Sequence, residues 1–153
     1  MRIDVLPRRF FERIKGTAEE SEILATTRVI SINSHDEEPP FSEESLKSPN
    51  LLCMFFDDIV ESDGVTGVLF SDKDAQAILD IVCDDSMPVI VHCSAGIARS
   101  GAVGEALDLY YNQWRSENTE DHKYFIDNNR QIMPNTIVKR LLMRAIYKKE
   151  ENS

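Results

Sequence analysis

The sequence predicts an α/β fold, a single-domain, mainly parallel central sheet flanked by helices. Three observations carry this reading. Short apolar runs of strand length alternate with stretches of helical period. The last run, PVIVHC, is β-branched and lacks polar alternation, as strands buried on both faces do. A chain of 153 residues, 42% of them hydrophobic, is also the size of one domain with one sizeable core. The expected domain spans residues 1–153, with fraying expected at 1–5 and 148–153.

Taken in order, RIDVL reads as the first strand, and Phe10, Phe11 and Ile14 then share one face of a helix. TRVISIN is the second strand. The segment NSHDEEPPFSEESLKSPN is polar, acidic and Pro-containing, and reads as one long surface loop rather than a linker. LLCMFF is the third strand. In SDKDAQAILDIV, Ala75, Ile78, Leu79 and Val82 follow the helical period, and Ser71 with Asp74 forms a capping pair at its start. After PVIVHC come two further apolar stripes: Ala102, Val103, Ala106, Leu107 and Tyr110, then Ile137, Leu141, Leu142 and Ile146. Helices therefore dominate the second half, and Tyr110, Tyr111 and Trp114 read as core or helix-end packing.

Composition narrows the function. With 17 basic against 27 acidic residues and a formal net charge of -10, broad attraction to nucleic acid or to anionic membranes is not expected. Any anion site must be local. The 3 cysteines, Cys53, Cys83 and Cys93, lack paired CxxC spacing, so neither a disulfide framework nor a zinc site is expected, and a reducing compartment fits better. Cys53 and Cys83 read as buried packing. The start MRIDVLPRRFFERIKG carries no signal-like apolar run, and no run reaches the roughly 18 apolar residues of a membrane span. The expectation is a soluble protein of cytoplasmic type, with no cofactor and no metal.

Ligands of open α/β sheets gather beyond the C-terminal ends of the strands, where Cys93 falls. A thiol is a nucleophile only as thiolate, and an ordinary thiol with pKa near 8.5 is ionised to only a few per cent at neutral pH. A following helix N-terminus favours the anion, but by no more than about 2 kcal/mol. The loop Ser94, Ala95, Gly96, Ile97, Ala98 can add to that by turning successive N–H groups inward as an anion nest, with Gly96 free to take positive φ. Arg99 offers a planar, permanently charged fork for two phosphate oxygens. Ser100 can hydrogen-bond the sulfur, and His92 can fix the loop from behind.

The run HCSAGIARSG matches the HCxxGxxR[ST] signature, and on it the chain resembles the cysteine-dependent protein tyrosine phosphatases, in particular their dual-specificity branch. The resemblance implies that Cys93 attacks phosphorus, that Arg99 holds the equatorial oxygens, and that Ser100 helps the thiolate leave in the second step. It also implies a general acid on a loop after an earlier strand. FFDDIVESDG offers Asp57, Asp58 and Asp63, and the pattern of apolar residue, Asp, Asp, Ile favours Asp58. MPNT resembles a Pro-Asn element that opens a late helix in related sequences, where Asn135 would support the phosphate loop or simply cap the helix.

The implied substrate is a phosphorylated protein or peptide. No WPD tripeptide and no aromatic loop for a deep slot is present, so a shallow cleft is expected, accepting phosphotyrosine and also phosphoserine and phosphothreonine. The phosphate loop lacks lysine, which disfavours inositol phospholipids. Three alternatives stand beside this reading: a non-catalytic phosphate-binding module, a phosphatase of RNA or nucleotide phosphates, and a rhodanese-like sulfurtransferase.

Overall fold

In a computed structural model, which describes residues 1–59 and 67–153, four parallel strands form one sheet in the order β1-β4-β2-β3. They are β1 (Ile3–Pro7), β2 (Arg28–Asn33), β3 (Leu51–Phe55) and β4 (Val89–Cys93). The helices are α1 (Arg8–Ile14), α2 (Ala18–Thr26), α3 (Asp72–Ile81), α4 (Arg99–Leu107), α5 (Thr119–Asn128) and α6 (Thr136–Glu151). Beyond Leu107 the backbone of α4 widens into a π-helical stretch, Asp108–Trp114.

Because strand side chains alternate between faces, each strand feeds two cores. Ile30, Ile32, Val89, Val91 and Cys93 face a large core shared with Ala75 and Ile78 of α3, Ala102 and Val103 of α4, and Leu142 of α6. Val29 faces a smaller core built from Phe11, Ile14 and Leu24 of α1 and α2, closed by Phe41 from the long loop. The central strands β4 and β2 are thus covered on both sides, as the unbroken apolar run of β4 requires.

The Ser71–Asp74 pair forms a reciprocal capping box at the start of α3. The loop after β2 is irregular apart from a short 3₁₀ turn, Ser45–Lys47. Helix α2 escaped the sequence pattern for a physical reason: Leu24 and Glu20 are its buried residues, and Glu20 is held by the hydroxyls of Ser42 and Ser45. Helix α5 was also unmarked, since Phe125 alone of its residues is buried. Tyr110 and Tyr111 are core residues, whereas Trp114 is 46% exposed. At the ends where fraying was expected, Ile3–Pro7 pairs with β4 and α6 runs on to Glu151. No helix among the described residues is long and apolar enough to cross a membrane.

Candidate active site

Strand β4 ends at Cys93 and α4 begins at Arg99, so the loop Ser94–Ala98 joins the two central elements. Helix α4 has no side-chain cap and no acidic residue in its first turn, which leaves its N-terminal N–H groups without a local acceptor. The sulfur of Cys93 stands in for one. Although burial opposes its ionisation, the Ser100 hydroxyl and the N–H groups of Ser100, Ile97 and Gly96 together outweigh burial and hold the thiol below its ordinary pKa. Ser100 Oγ lies 3.0 Å from Sγ.

The loop presents its N–H groups inward because its carbonyls are tied outward. Ser94 O accepts the Arg8 N–H at 3.2 Å, Ile97 O that of Met133 at 3.0 Å, and Ala98 O that of Asn135 at 3.0 Å. Gly96 O accepts the side chain of Gln131 at 3.2 Å. Gly96 itself has φ 71°, and a Cβ there would lie 2.7 Å from the Leu6 carbonyl carbon and the Pro7 nitrogen. Conformation and close approach to the end of β1 both demand glycine.

Arg99 is 5% exposed and is fixed on several sides. Its Nη1 donates to Phe56 O at 2.9 Å and to Ser34 Oγ at 3.2 Å, and its Nη2 donates to Ser94 Oγ at 3.0 Å. These partners are neutral oxygens, so they orient the guanidinium without cancelling its charge. The loops after β2 and β3 thereby meet the Ser94–Ala98 loop through one side chain.

His92 lies behind the loop, on the opposite face of β4 from Cys93, against Phe11 and Phe41. Burial pushes its pKa down to about 4, so the imidazole is neutral at physiological pH. Its Nδ1 sits 3.4 Å from Cys93 O, an acceptor only, and therefore carries the hydrogen. Nε2 is then the acceptor, and the Ser31 hydroxyl donates to it at 2.6 Å. Asn33 Nδ2 donates to Ser31 Oγ in turn, completing a buried chain that ends on the Cys93 carbonyl.

The candidate acids occupy different settings. Asp57 accepts the Val68 N–H at 2.6 Å, and from His35 the backbone N–H at 3.2 Å and Nδ1–H at 2.8 Å. The Val68 bond, followed by those from His35, holds its carboxyl below the usual range. Asp58 is exposed, and its Oδ1 accepts the side-chain N–H of Asn135 at 2.9 Å. Asp63 lies outside the described residues. Asn135 caps α6 through Oδ1 while its backbone holds Ala98, so the two sequence readings of this residue coexist.

Ser34, Arg8, Gln131 and Met133 carried no sequence signal, because each serves the site from a loop or helix end by a backbone group or a single polar contact. Two cysteines differ from their expected burial. Cys83 is exposed just beyond α3, with Arg28 Nη2 at 3.7 Å, because the chain turns out of the core after Val82. Cys53 is only partly buried on the edge strand β3, although burial still pushes its thiol up to about 11 against a bond from Ser31.

No protein-family model and no curated protein sequence matches the chain. Solved structures do. The human tyrosine phosphatase-like serine/threonine/tyrosine-interacting protein aligns over 99% of this chain and 93% of its own, at TM-score 0.61 and 15% identity. Human DUSP28 aligns over 99% and 95%, at TM-score 0.54 and 15% identity. PTPMT1, in a complex with PI(5)P, aligns over 99% and 94%, at TM-score 0.55 and 11% identity. The chain has the fold of the cysteine-dependent protein tyrosine phosphatase superfamily in its dual-specificity form.

Proposed function

We propose that the chain is a cysteine-dependent phosphatase that hydrolyses phosphate monoesters in proteins, phosphotyrosine first and phosphoserine or phosphothreonine also. The observation that carries this reading is the Cys93 sulfur, whose pKa the Ser100 hydroxyl and the N–H groups of Ser100, Ile97 and Gly96 hold below the ordinary thiol value against burial, beside the buried guanidinium of Arg99. A ring that stabilises a thiolate suits the equatorial oxygens of a phosphoryl group equally well.

In the first step Cys93 Sγ attacks phosphorus, the P–O bond to the substrate breaks, and Asp58 gives its proton to the departing oxygen. In the second, the Asp58 carboxylate takes a proton from water, the oxygen attacks phosphorus, and the S–P bond breaks. Arg99 and the loop N–H groups Ser94 to Ala98 carry the charge on the transferring group, and Ser100 donates to the leaving thiolate. No step asks for a cofactor.

Phosphoprotein is preferred over inositol phospholipid because the loop side chains are neutral and the neighbouring loop after β2 exposes Asp36 and Glu38. Those acids repel a polyanionic headgroup and favour basic residues flanking a single phosphate.

The test is Cys93→Ser on a phosphotyrosine peptide. Turnover should vanish while binding of the peptide persists through Arg99 and the loop, and the wild type should show a burst with an aryl phosphate. Substantial turnover by Cys93→Ser, or thiosulfate consumption in place of phosphate release, would overturn the reading.

A further inference from the structure

Helices α4 and α6 both start at the phosphate loop, α4 at Arg99 and α6 just beyond Asn135, whose N–H holds Ala98 O. They pack against each other and lead away from the site together. The Glu105–Lys139 ion pair ties them near the loop. Beyond that tie lies a groove of about 370 Å³, lined by Leu109, Gln113, Trp114, Met143 and Tyr147.

The far end of the groove is aromatic and exposed. Trp114 is 46% and Tyr147 54% exposed, and their ring centroids lie 4.9 Å apart. The π-helical stretch sets this up: Tyr110 and Tyr111 are both buried in the core, and the Arg115 N–H donates to Tyr110 O, five residues back, at 2.8 Å, widening the turn that carries Trp114 out to Tyr147. Such widenings are rare and concentrate at functional sites.

The groove also has a charged border. Arg140 precedes Met143 by three residues and Tyr147 by seven, and Arg144 lies between those two, so both arginines share the outer face of α6 with the apolar pair. Both are exposed; Arg144 reaches Asp72 at 2.8 Å, whereas Arg140 makes no ion pair among the described residues. In a chain of net charge -10, α6 carries Lys139, Arg140, Arg144, Lys148 and Lys149 against Glu150 and Glu151. Cations gathered beside exposed aromatic rings suit an acidic segment that bears large apolar side chains. A second copy of the chain fits less well, because a two-fold contact would set Arg140 and Arg144 against their own images. An anionic membrane fits less well, because the groove is concave and the whole chain is strongly acidic.

We propose that this groove is a docking site for the phosphoprotein substrate, receiving an acidic segment with large apolar side chains at a distance from the phosphorylated residue. This rests on the phosphatase reading. At about 1.5 Å per residue, Met143 and Tyr147 stand roughly 12 and 18 Å along α6 from Asn135, a span that about four to six extended residues cover. Substrate residues next to the phosphate meet Asp36 and Glu38, and distal ones meet Arg140 and Arg144, so the preferred substrate changes sign of charge along its length.

Two phosphotyrosine peptides test this, one ending close to the phosphorylated residue and one continued through a Gly/Ser spacer of about eight residues into a segment of Glu, Leu and Phe. The longer should show a KM roughly tenfold lower at similar kcat. Arg140→Glu, a surface change, and Tyr147→Ser should each remove that advantage and leave turnover of the short peptide as in the wild type. The unphosphorylated Glu/Leu/Phe peptide, fluorescently labelled, should bind the wild type and not Arg140→Glu, a measurement that involves no turnover.

Equal KM values for the two peptides, or the same advantage when lysine replaces every glutamate, would overturn the proposal. So would Tyr147-dependent self-association in the ultracentrifuge, or Tyr147-dependent binding to phosphatidylserine vesicles, without binding of the labelled peptide; the groove would then belong to a second copy or to a membrane. If the wild type turned over neither phosphopeptide, the phosphatase reading would fall, and binding of the labelled peptide would still decide for or against the groove.

Discussion

Ser100 Oγ lies 3.0 Å from Cys93 Sγ, in the first turn of α4, and the Ser100 N–H reaches the same sulfur. In the proposed mechanism the hydroxyl acts twice, favouring the thiolate before attack and receiving it as the leaving group afterwards.

Ser100→Ala should raise the Cys93 pKa and slow breakdown of the cysteinyl phosphate more than its formation. Iodoacetamide alkylation across pH measures the first effect, in a Cys83→Ser background because Cys83 is exposed. Single-turnover kinetics with 4-nitrophenyl phosphate measures the second, as a burst larger relative to the steady state than in the wild type. An unchanged alkylation profile together with an unchanged burst would remove Ser100 from the chemistry.

The two adjacent acids should separate by leaving group. Asp58→Ala should slow a phosphotyrosine peptide by about 10²–10⁴, the usual worth of a general acid, and slow 4-nitrophenyl phosphate much less. Both oxygens of Asp57 already accept hydrogen bonds from Val68 and His35, so its carboxyl is committed to joining those loops rather than free to face a leaving group. Asp57→Asn should instead loosen the joined loops and lower activity on both substrates alike. A leaving-group-dependent loss in Asp57→Asn and none in Asp58→Ala would exchange their roles, and the same pattern in Asp63→Ala would move the assignment there.

Gly96→Ala tests whether the loop's shape is imposed by its contact with β1. Alanine at φ 71° costs about 1–2 kcal/mol, and its Cβ would press on backbone atoms of Leu6 and Pro7 at 2.7 Å that have nowhere to retreat within the sheet. The loop must lift, turning its N–H groups away from the sulfur. Phosphopeptide affinity and kcat/KM should both fall by more than roughly tenfold, consistent with about 1.4 kcal/mol or more of lost oxyanion contact. Retention of vanadate binding at wild-type strength would mean that the loop tolerates the methyl group.

How much of this was legible beforehand follows from what each group depends on. The four strands, the capping box of α3 and the junction at Cys93 depend on local residue order, and they stand where the pattern places them. Gly96 was legible for the same reason, since its turn is closed within a few residues. The outward ties of the loop were not, because Arg8 and Met133 act through backbone N–H groups whose side chains carry no mark of the role. Helix α2 was hidden by a buried Glu20, whose partners Ser42 and Ser45 lie in a different segment. The Asn135–Asp58 bond joins residues far apart in the chain, so only the motif resemblance pointed to one end of it.

His92 gives the last prediction, a pH dependence of stability. Buried between β4 and the Phe11 and Phe41 rings, it has a pKa pushed down to about 4, against about 6.5 in an unfolded chain. Between these values the unfolded state binds more protons than the folded one, so stability rises with pH in that window and is lost as pH falls through it. The difference corresponds to roughly 3 kcal/mol at about 1.36 kcal/mol per pKa unit, all of it present above pH 6.5 and gone near pH 4. His92→Gln removes the titration while keeping a polar side chain beside Ser31. The wild type should be the more stable protein at pH 7, and its lead in Tm should shrink steadily on acidification toward pH 4.5, since the carboxylates common to both proteins cancel in the comparison. A Tm difference that stays constant over that range would mean that His92 is not held neutral by burial, and the hydrogen-bonded chain from Asn33 through Ser31 to the Cys93 carbonyl would need a different proton arrangement.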